Sequence, residues 1–205
     1  MKKRQYEGFL FDPAGKNPCS LSGGCGRPHI IYNPDTKTYV LWANAGAPGF
    51  VVATSTSPSG PFVFSAARAL IDPAFDNLQP ADLSVEIING EGYIVFSALD
   101  FKSPDAGSFW PPIFQTLHMG KLTKDLMNTT RQSWPVASAA QDLIDNEAES
   151  PDLFKRGDTW YVAASNTCGY CNGSIALLYR SASIQGPWTR QILEGYSCNG
   201  QVEGV

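Results

Sequence analysis

The stretch Asn146-Glu-Ala-Glu-Ser-Pro-Asp-Leu-Phe-Lys-Arg-Gly-Asp-Thr-Trp-Tyr-Val-Ala-Ala-Ser165 decides how the rest of the chain is read. A carboxylate and a proline lead into the apolar pair Leu153-Phe154. A turn at Arg156-Gly157-Asp158 follows, then a second apolar run from Trp160. Two short β-prone runs around a Gly-containing turn are the signature of a β-hairpin. The phrase returns at Asp82-Leu-Ser-Val-Glu-Ile-Ile-Asn-Gly-Glu-Gly-Tyr93-Ile-Val-Phe-Ser97, where Asp82 to Tyr93 spans eleven residues, as Glu149 to Trp160 does. A third copy, with a longer turn, runs from Arg27-Pro-His-Ile-Ile-Tyr-Asn33 to Tyr39-Val-Leu-Trp42. Repetition of this kind predicts the fold, and the carboxylates that lead into the strands point to the chemistry.

Further strands are predicted at about 50–56, 113–122 and 175–179. The first of these runs into Ser55-Thr-Ser-Pro-Ser-Gly-Pro-Phe62 and the last into Ser181-Ala-Ser-Ile-Gln-Gly-Pro-Trp188. Each unit is thus three or four short antiparallel strands, over approximately 27–64, 80–133 and 149–192, with a further unit opening at 197–205. Repeats of about 50–65 residues, each a short meander, predict an all-β chain built as a β-propeller of about three blades. In a propeller the first strand of each blade lines the central channel, so equivalent strand starts converge on one axial pocket. Because rings of three are not expected, the chain is read as part of a longer propeller. The connection Asp100–Pro112 is long and carries Phe109 and Trp110 at its tip. Residues 134–146 read as a loop between units, with room for a short helix at Ala137–Ile144.

The chain has 205 residues, of which 43% are hydrophobic, 12% aromatic and 17% charged, a globular composition rich in turn formers (19 Gly, 15 Pro). A net charge of −4 and the lack of a basic cluster beyond Lys2-Lys3-Arg4 argue against a nucleic-acid partner. No apolar run approaches the roughly 18 residues of a membrane span, so no membrane partner is expected. Glu7, Asp12 and Lys16 interrupt any signal-peptide core, and five cysteines favour an exported protein whose signal lies outside this chain. The sequons Asn128-Thr-Thr130 and Asn172-Gly-Ser174 fit the same reading. Disulfides, free thiols and metal or redox chemistry all stay open for Cys19, Cys25, Cys168, Cys171 and Cys198. Cys19–Cys25 is the better candidate for a bridge, because Cys168 and Cys171 enclose only Gly169-Tyr170. The spacing makes a poor zinc knuckle, and neither a metal nor a cofactor is expected.

These motifs, in this order, resemble glycoside hydrolase family 43, and most closely its fungal exo-β-1,3-galactanase branch. The likeness is carried by Arg27-Pro-His-Ile-Ile-Tyr-Asn33, Ala81-Asp-Leu-Ser84 with Gly92-Tyr-Ile94, Glu149-Ser-Pro-Asp-Leu-Phe-Lys155 with Trp160-Tyr161, and the Gly-Pro-aromatic turns. It covers roughly residues 25–205. The resemblance implies a five-bladed propeller that cleaves glycosidic bonds with inversion. It makes Glu149 the general acid, Asp82 the carboxylate that tunes the acid and orients the sugar, and Gln201 the residue in place of the usual base. One departure is Gly26, where that branch usually has Glu before Arg-Pro. The partner implied is a polysaccharide or oligosaccharide of plant-type galactan. The alternatives are an α-L-arabinofuranosidase or β-xylosidase of the same family, or a propeller that binds glycan without cleaving it.

The chemistry asks specific things of these residues. An acid at Glu149 needs partial desolvation to hold its proton near working pH, and a neighbouring Asp82 raises its pKa further by repulsion. Glu147 competes for the role on spacing, and the eleven-residue count favours Glu149. Glu203, beside Gln201, is a charged neighbour that the resemblance does not support. Arg27 and His29 are candidate substrate contacts, and Trp110 is placed to stack on a sugar face. His118, Trp42 and Trp160 read as structural.

Overall fold

The computed structural model describes residues 8–12, 16–19, 24–46, 48–100, 114–167 and 175–197. Twelve strands form three four-stranded antiparallel sheets. The first holds β1 (Gly26–Asn33), β2 (Thr38–Asn44), β3 (Val51–Ser55) and β4 (Val63–Phe64). The second holds β5 (Gln79–Ile88), β6 (Glu91–Asp100), β7 (Phe114–Leu122) and β8 (Thr129–Pro135). The third holds β9 (Ala148–Arg156), β10 (Thr159–Asn166), β11 (Ile175–Ser181) and β12 (Thr189–Ser197). Each is a meander in chain order, and β5 packs beside both β1 and β9, so the first strands lie next to one another. This is the blade arrangement of a propeller.

The sheets stack because their strands are apolar on both faces. In β6, Ile94, Phe96 and Ala98 point one way, into a cluster with Trp42, Phe50 and Val52 of the first sheet. Tyr93 and Val95 point the other way, into a cluster with Leu153, Trp160, Val162 and Tyr179 of the third. A strand covered on both sides reads as one continuous apolar run, as Tyr93–Phe96 does. Trp42 and Trp160 are core residues, as expected; Trp42 is fully buried and its Nε1 donates to Leu126 O at 2.9 Å, tying the first sheet to the second. His118 is buried too, packed at a tilt against Phe75 and Phe96.

The outer face of the first sheet is covered by the N-terminal segment. Cys19, Leu10 and Phe11 pack on Leu41, Val51, Ala53 and Phe62, and Phe62 N donates to Leu10 O at 2.7 Å. A Cys19–Cys25 disulfide closes this segment onto the start of β1, while Cys168, Cys171 and Cys198 lie outside the described residues. Large apolar side chains are exposed on both end sheets, among them Tyr32 on the first and Phe154 and Ile192 on the third. Of the two sequons, Asn172 lies outside the described residues. Asn128 uses its side-chain oxygen to accept from Leu70 N and Thr129 N, each at 2.9 Å.

No helix forms at Ala137–Ile144. Polar side chains there compete with the backbone ladder: Asp142 Oδ1 accepts from Ile144 N, and Ser138 Oγ donates to Asp145 Oδ2 at 2.5 Å. Asp145, fully buried, also accepts from Tyr179 Oη at 2.8 Å and pairs with Arg190 Nη1 at 2.9 Å. These bonds pin the loop before β9 to the outer strands of the third sheet.

Candidate active site

Each first strand breaks register near its N-terminal end, at levels within one residue of each other. The ladder shifts between Gly26 and His29 in β1, between Pro80 and Leu83 in β5, and between Glu149 and Asp152 in β9, where they face Ser165 and Ala163. Each sets two residues against one, a β-bulge, which re-aims side chains at a strand end. Arg27 (φ 50°) and Ser150 (φ 55°) sit at two of these bulges in the left-handed region. Non-glycine residues adopt it at a cost, and such residues cluster at functional sites.

The three bulges bring one residue from each sheet together. Arg27 Nε donates to Asp82 Oδ1 at 3.0 Å, and Arg27 Nη2 reaches both Asp82 Oδ2, at 3.4 Å, and Ser150 Oγ. Asp82 Oδ2 also accepts from Ser150 N at 2.9 Å and from Ser150 Oγ at 3.2 Å. Three of the four contacts to Asp82 fall on Oδ2 and one on Oδ1, so the carboxylate is held mainly through one oxygen. Asp82 is thus tied to both neighbouring sheets, through Arg27 of β1 and Ser150 of β9. It grips the peptide N–H immediately after Glu149, so its position and that of Glu149 are coupled through one bond. Glu149 itself is half-buried at the start of β9.

One step further along the same strands lies a second polar level. Ser84 Oγ donates to Asp152 Oδ1 at 3.0 Å, and His29 lies within electrostatic reach of Asp152 and Glu86. Burial lowers the His29 pKa, and the two carboxylates partly offset this. Glu147 occupies a different setting: burial raises its pKa, and its Oε1 is buried with no hydrogen-bond partner among the described residues. Gln201, Glu203, Phe109 and Trp110 lie outside the described residues.

The register also corrects one step in the sequence reading. Counted from the turns, Ile88 pairs with Glu91 and Arg156 with Thr159, so Tyr93 corresponds to Tyr161, one residue past Trp160. Asp82 is thus the counterpart of Ser150, and the eleven-residue count does not equate Asp82 with Glu149. The two are brought to one place by packing between sheets. Ser150 was not singled out from the sequence, although its place between Glu149 and Pro151 put it within the decisive stretch.

No protein-family model matches the sequence, and no curated protein matches it. Solved structures do. A glutamate-to-alanine variant of exo-β-1,3-galactanase from Phanerochaete chrysosporium, with β-1,3-galactotriose, aligns at TM-score 0.67 and 19% identity over 89% of this chain and 39% of that one. A family 43 β-1,3-galactosidase with galactodeoxynojirimycin aligns at TM-score 0.68 and 17% identity, over 90% of this chain and 63% of its own. The chain has the fold of part of a family 43 propeller. An endo-1,4-β-xylanase from Bacteroides thetaiotaomicron shares this propeller at TM-score 0.60 and 23% identity, over 84% of this chain and 56% of that enzyme. The chain thus spans about two fifths to two thirds of the length of these propeller proteins. In the present propeller the bulged ends of β1, β5 and β9 form the axial cluster. Among the described residues no group of His, Cys, Asp and Glu could hold a metal ion, and no helix is long and apolar enough to cross a membrane.

Proposed function

We propose that this chain is the site-bearing part of a glycoside hydrolase that cleaves galactan-type side chains by an inverting acid/base mechanism. The observation that carries the reading is the convergence of Arg27, Asp82 and Ser150 at three neighbouring bulges, next to Glu149. In this reading Glu149 donates the proton to the leaving oxygen. Asp82 raises its proton affinity and holds the strand that carries it, and Gln201 stands on the water side in place of a base. Inversion needs roughly 6.5–9.5 Å between the acid and the group that activates water. Arg27, His29 and Trp110 contact the sugar. The neighbours whose names specify β-1,3-galactan and β-1,3-galactoside activity support this substrate class.

Two observations favour variants of this reading. Glu147 carries the desolvation expected of an acid, which makes it the alternative donor. Gly26 and the xylanase neighbour favour the pentosidase alternative. The Cys19–Cys25 bridge supports export to an oxidising compartment.

The test is to follow β-1,3-galactobiose with the protein by proton NMR. The reading expects α-galactose as the first product, because one displacement at a β-linked carbon inverts it. Release of β-galactose first would reject inversion, and binding with no cleavage would establish the glycan-binding alternative.

A further inference from the structure

Gln115, near the start of β7, is only 3% exposed and lies where the second and third sheets meet below the site. Its Nε2 donates to Ser97 Oγ at 2.7 Å, and the same oxygen accepts from Asp82 N at 3.0 Å. Its Oε1 accepts from Thr167 Oγ1 at 3.2 Å, and Thr167 N donates to Glu147 O at 2.5 Å. Its backbone N donates to Asn146 O at 2.8 Å. Ser97 and Thr167 are themselves buried. A continuous path of hydrogen bonds therefore leaves the backbone of Asp82, passes through one amide side chain, and ends on the two residues that lead into β9. The Asp82–Ser150 bonds close this path into a ring.

A buried amide without partners bears its full desolvation penalty, and an apolar side chain would fill the same space without that liability. A buried amide engaged at both ends does something an apolar residue does not: it fixes direction as well as distance. We infer that Gln115 is a positioning residue, holding the start of β9 against the site end of β5 so that the peptide between Glu149 and Ser150 stays on Asp82. This rests on the reading of Glu149 and Asp82 given above. Gln115 touches neither sugar nor acid and acts through Ser97, Asn146 and Thr167.

Two substitutions test it. Gln115→Met keeps the volume and removes both side-chain bonds. Gln115→Glu keeps both bonds while protonated, and once ionised it accepts from the two hydroxyls but puts a charge into the buried path. The first readout is hydrogen exchange of the Ser150 amide, whose proton sits on Asp82, compared with the core amide of Val95. In Gln115→Met we expect Ser150 exchange to accelerate at least about tenfold relative to Val95, and kcat on β-1,3-galactobiose to fall about 10–10²-fold with KM little changed, the range for a small misplacement of reacting groups. Gln115→Glu should match the parent at acid pH and depart from it in both readouts as the buried carboxyl ionises. If Ser150 and Val95 accelerate together, or if kcat in an active enzyme is unmoved, the positioning role is overturned. If Ser150 responds as expected but the parent protein cleaves no sugar, Gln115 still positions β9 and the glycosidase reading is what falls.

Discussion

His118 offers a quantitative test of how the second sheet is packed. Its ring centroid lies 4.2 Å from that of Phe75 and 5.7 Å from that of Phe96. Nε2 is 2.8 Å from Thr116 Oγ1, and Nδ1 is buried with no hydrogen-bond partner among the described residues. A charged imidazole would have to lose its hydration in this setting, so burial pushes the pKa down from 6.5 to about 4, against a smaller opposing pull from Asp72. The unfolded chain binds the proton more tightly than the folded one. The stability held in the neutral ring is therefore complete above pH 6.5 and drains as pH falls toward 4. At 1.36 kcal/mol per pKa unit, the loss is about 2 kcal/mol at pH 5 and about 3 kcal/mol at pH 4. Gln at this position reaches Thr116 with an amide and does not titrate. His118→Gln should be less stable than the parent by about 1 kcal/mol at pH 7, a usual cost for a buried substitution, and more stable than it at pH 5. Urea unfolding by tryptophan fluorescence at pH 7, 6, 5 and 4 gives the comparison. Parallel stability curves for the two proteins would refute the reasoning.

Two further outcomes follow from packing. Asp145→Ala strips the acceptor from Ser138, Tyr179 and Arg190 and should cost about 3–5 kcal/mol in urea unfolding, the range for breaking a buried ion pair; Asp145→Asn, which keeps an acceptor oxygen, should cost less. A Cβ on Gly49 would lie 2.1 Å from Ala69 O at φ +60°, whereas one on Gly157, at φ +59°, meets nothing within 4 Å. Gly157→Ala should therefore cost about 1 kcal/mol from backbone conformation alone, and Gly49→Ala clearly more; equal melting temperatures for the two variants would contradict this.

Much of the architecture was legible because each unit announces itself with two apolar runs around a Gly turn. The recurring Gly-Pro phrase is one turn used twice, with Gly60 at φ 82° and Gly186 at φ 86°. The outermost strands were harder to see. β4 is two residues long, and β8 (Thr-Thr-Arg-Gln-Ser-Trp-Pro) lacks alternation because most of its side chains are exposed or only half-buried. The short helix expected at Ala137–Ile144 gave way to Ser138, Asp142 and Asp145, whose side chains found partners that no local propensity foretells. At the site, Asp82 and Glu149 stood out as carboxylates leading into repeated strands. Their juxtaposition depends on three bulges, which alternation does not reveal. Gln115 left no signal at all, since a single amide beside a long connection looks like any other loop polar residue.

The central claim, that Glu149 donates the proton at this axial site, is tested most directly by one pair of rates. Glu149→Gln keeps the shape of the side chain and removes the acid. Its kcat should be measured against the parent on β-1,3-galactobiose, a poor leaving group, and on an aryl β-galactoside with an activated leaving group that needs no protonation. We expect a loss of about 10²–10⁴-fold on the disaccharide and a far smaller one on the aryl glycoside, as for a missing general acid. Equal losses on both substrates, in a variant with parental stability, would contradict the assignment and pass the role to Glu147.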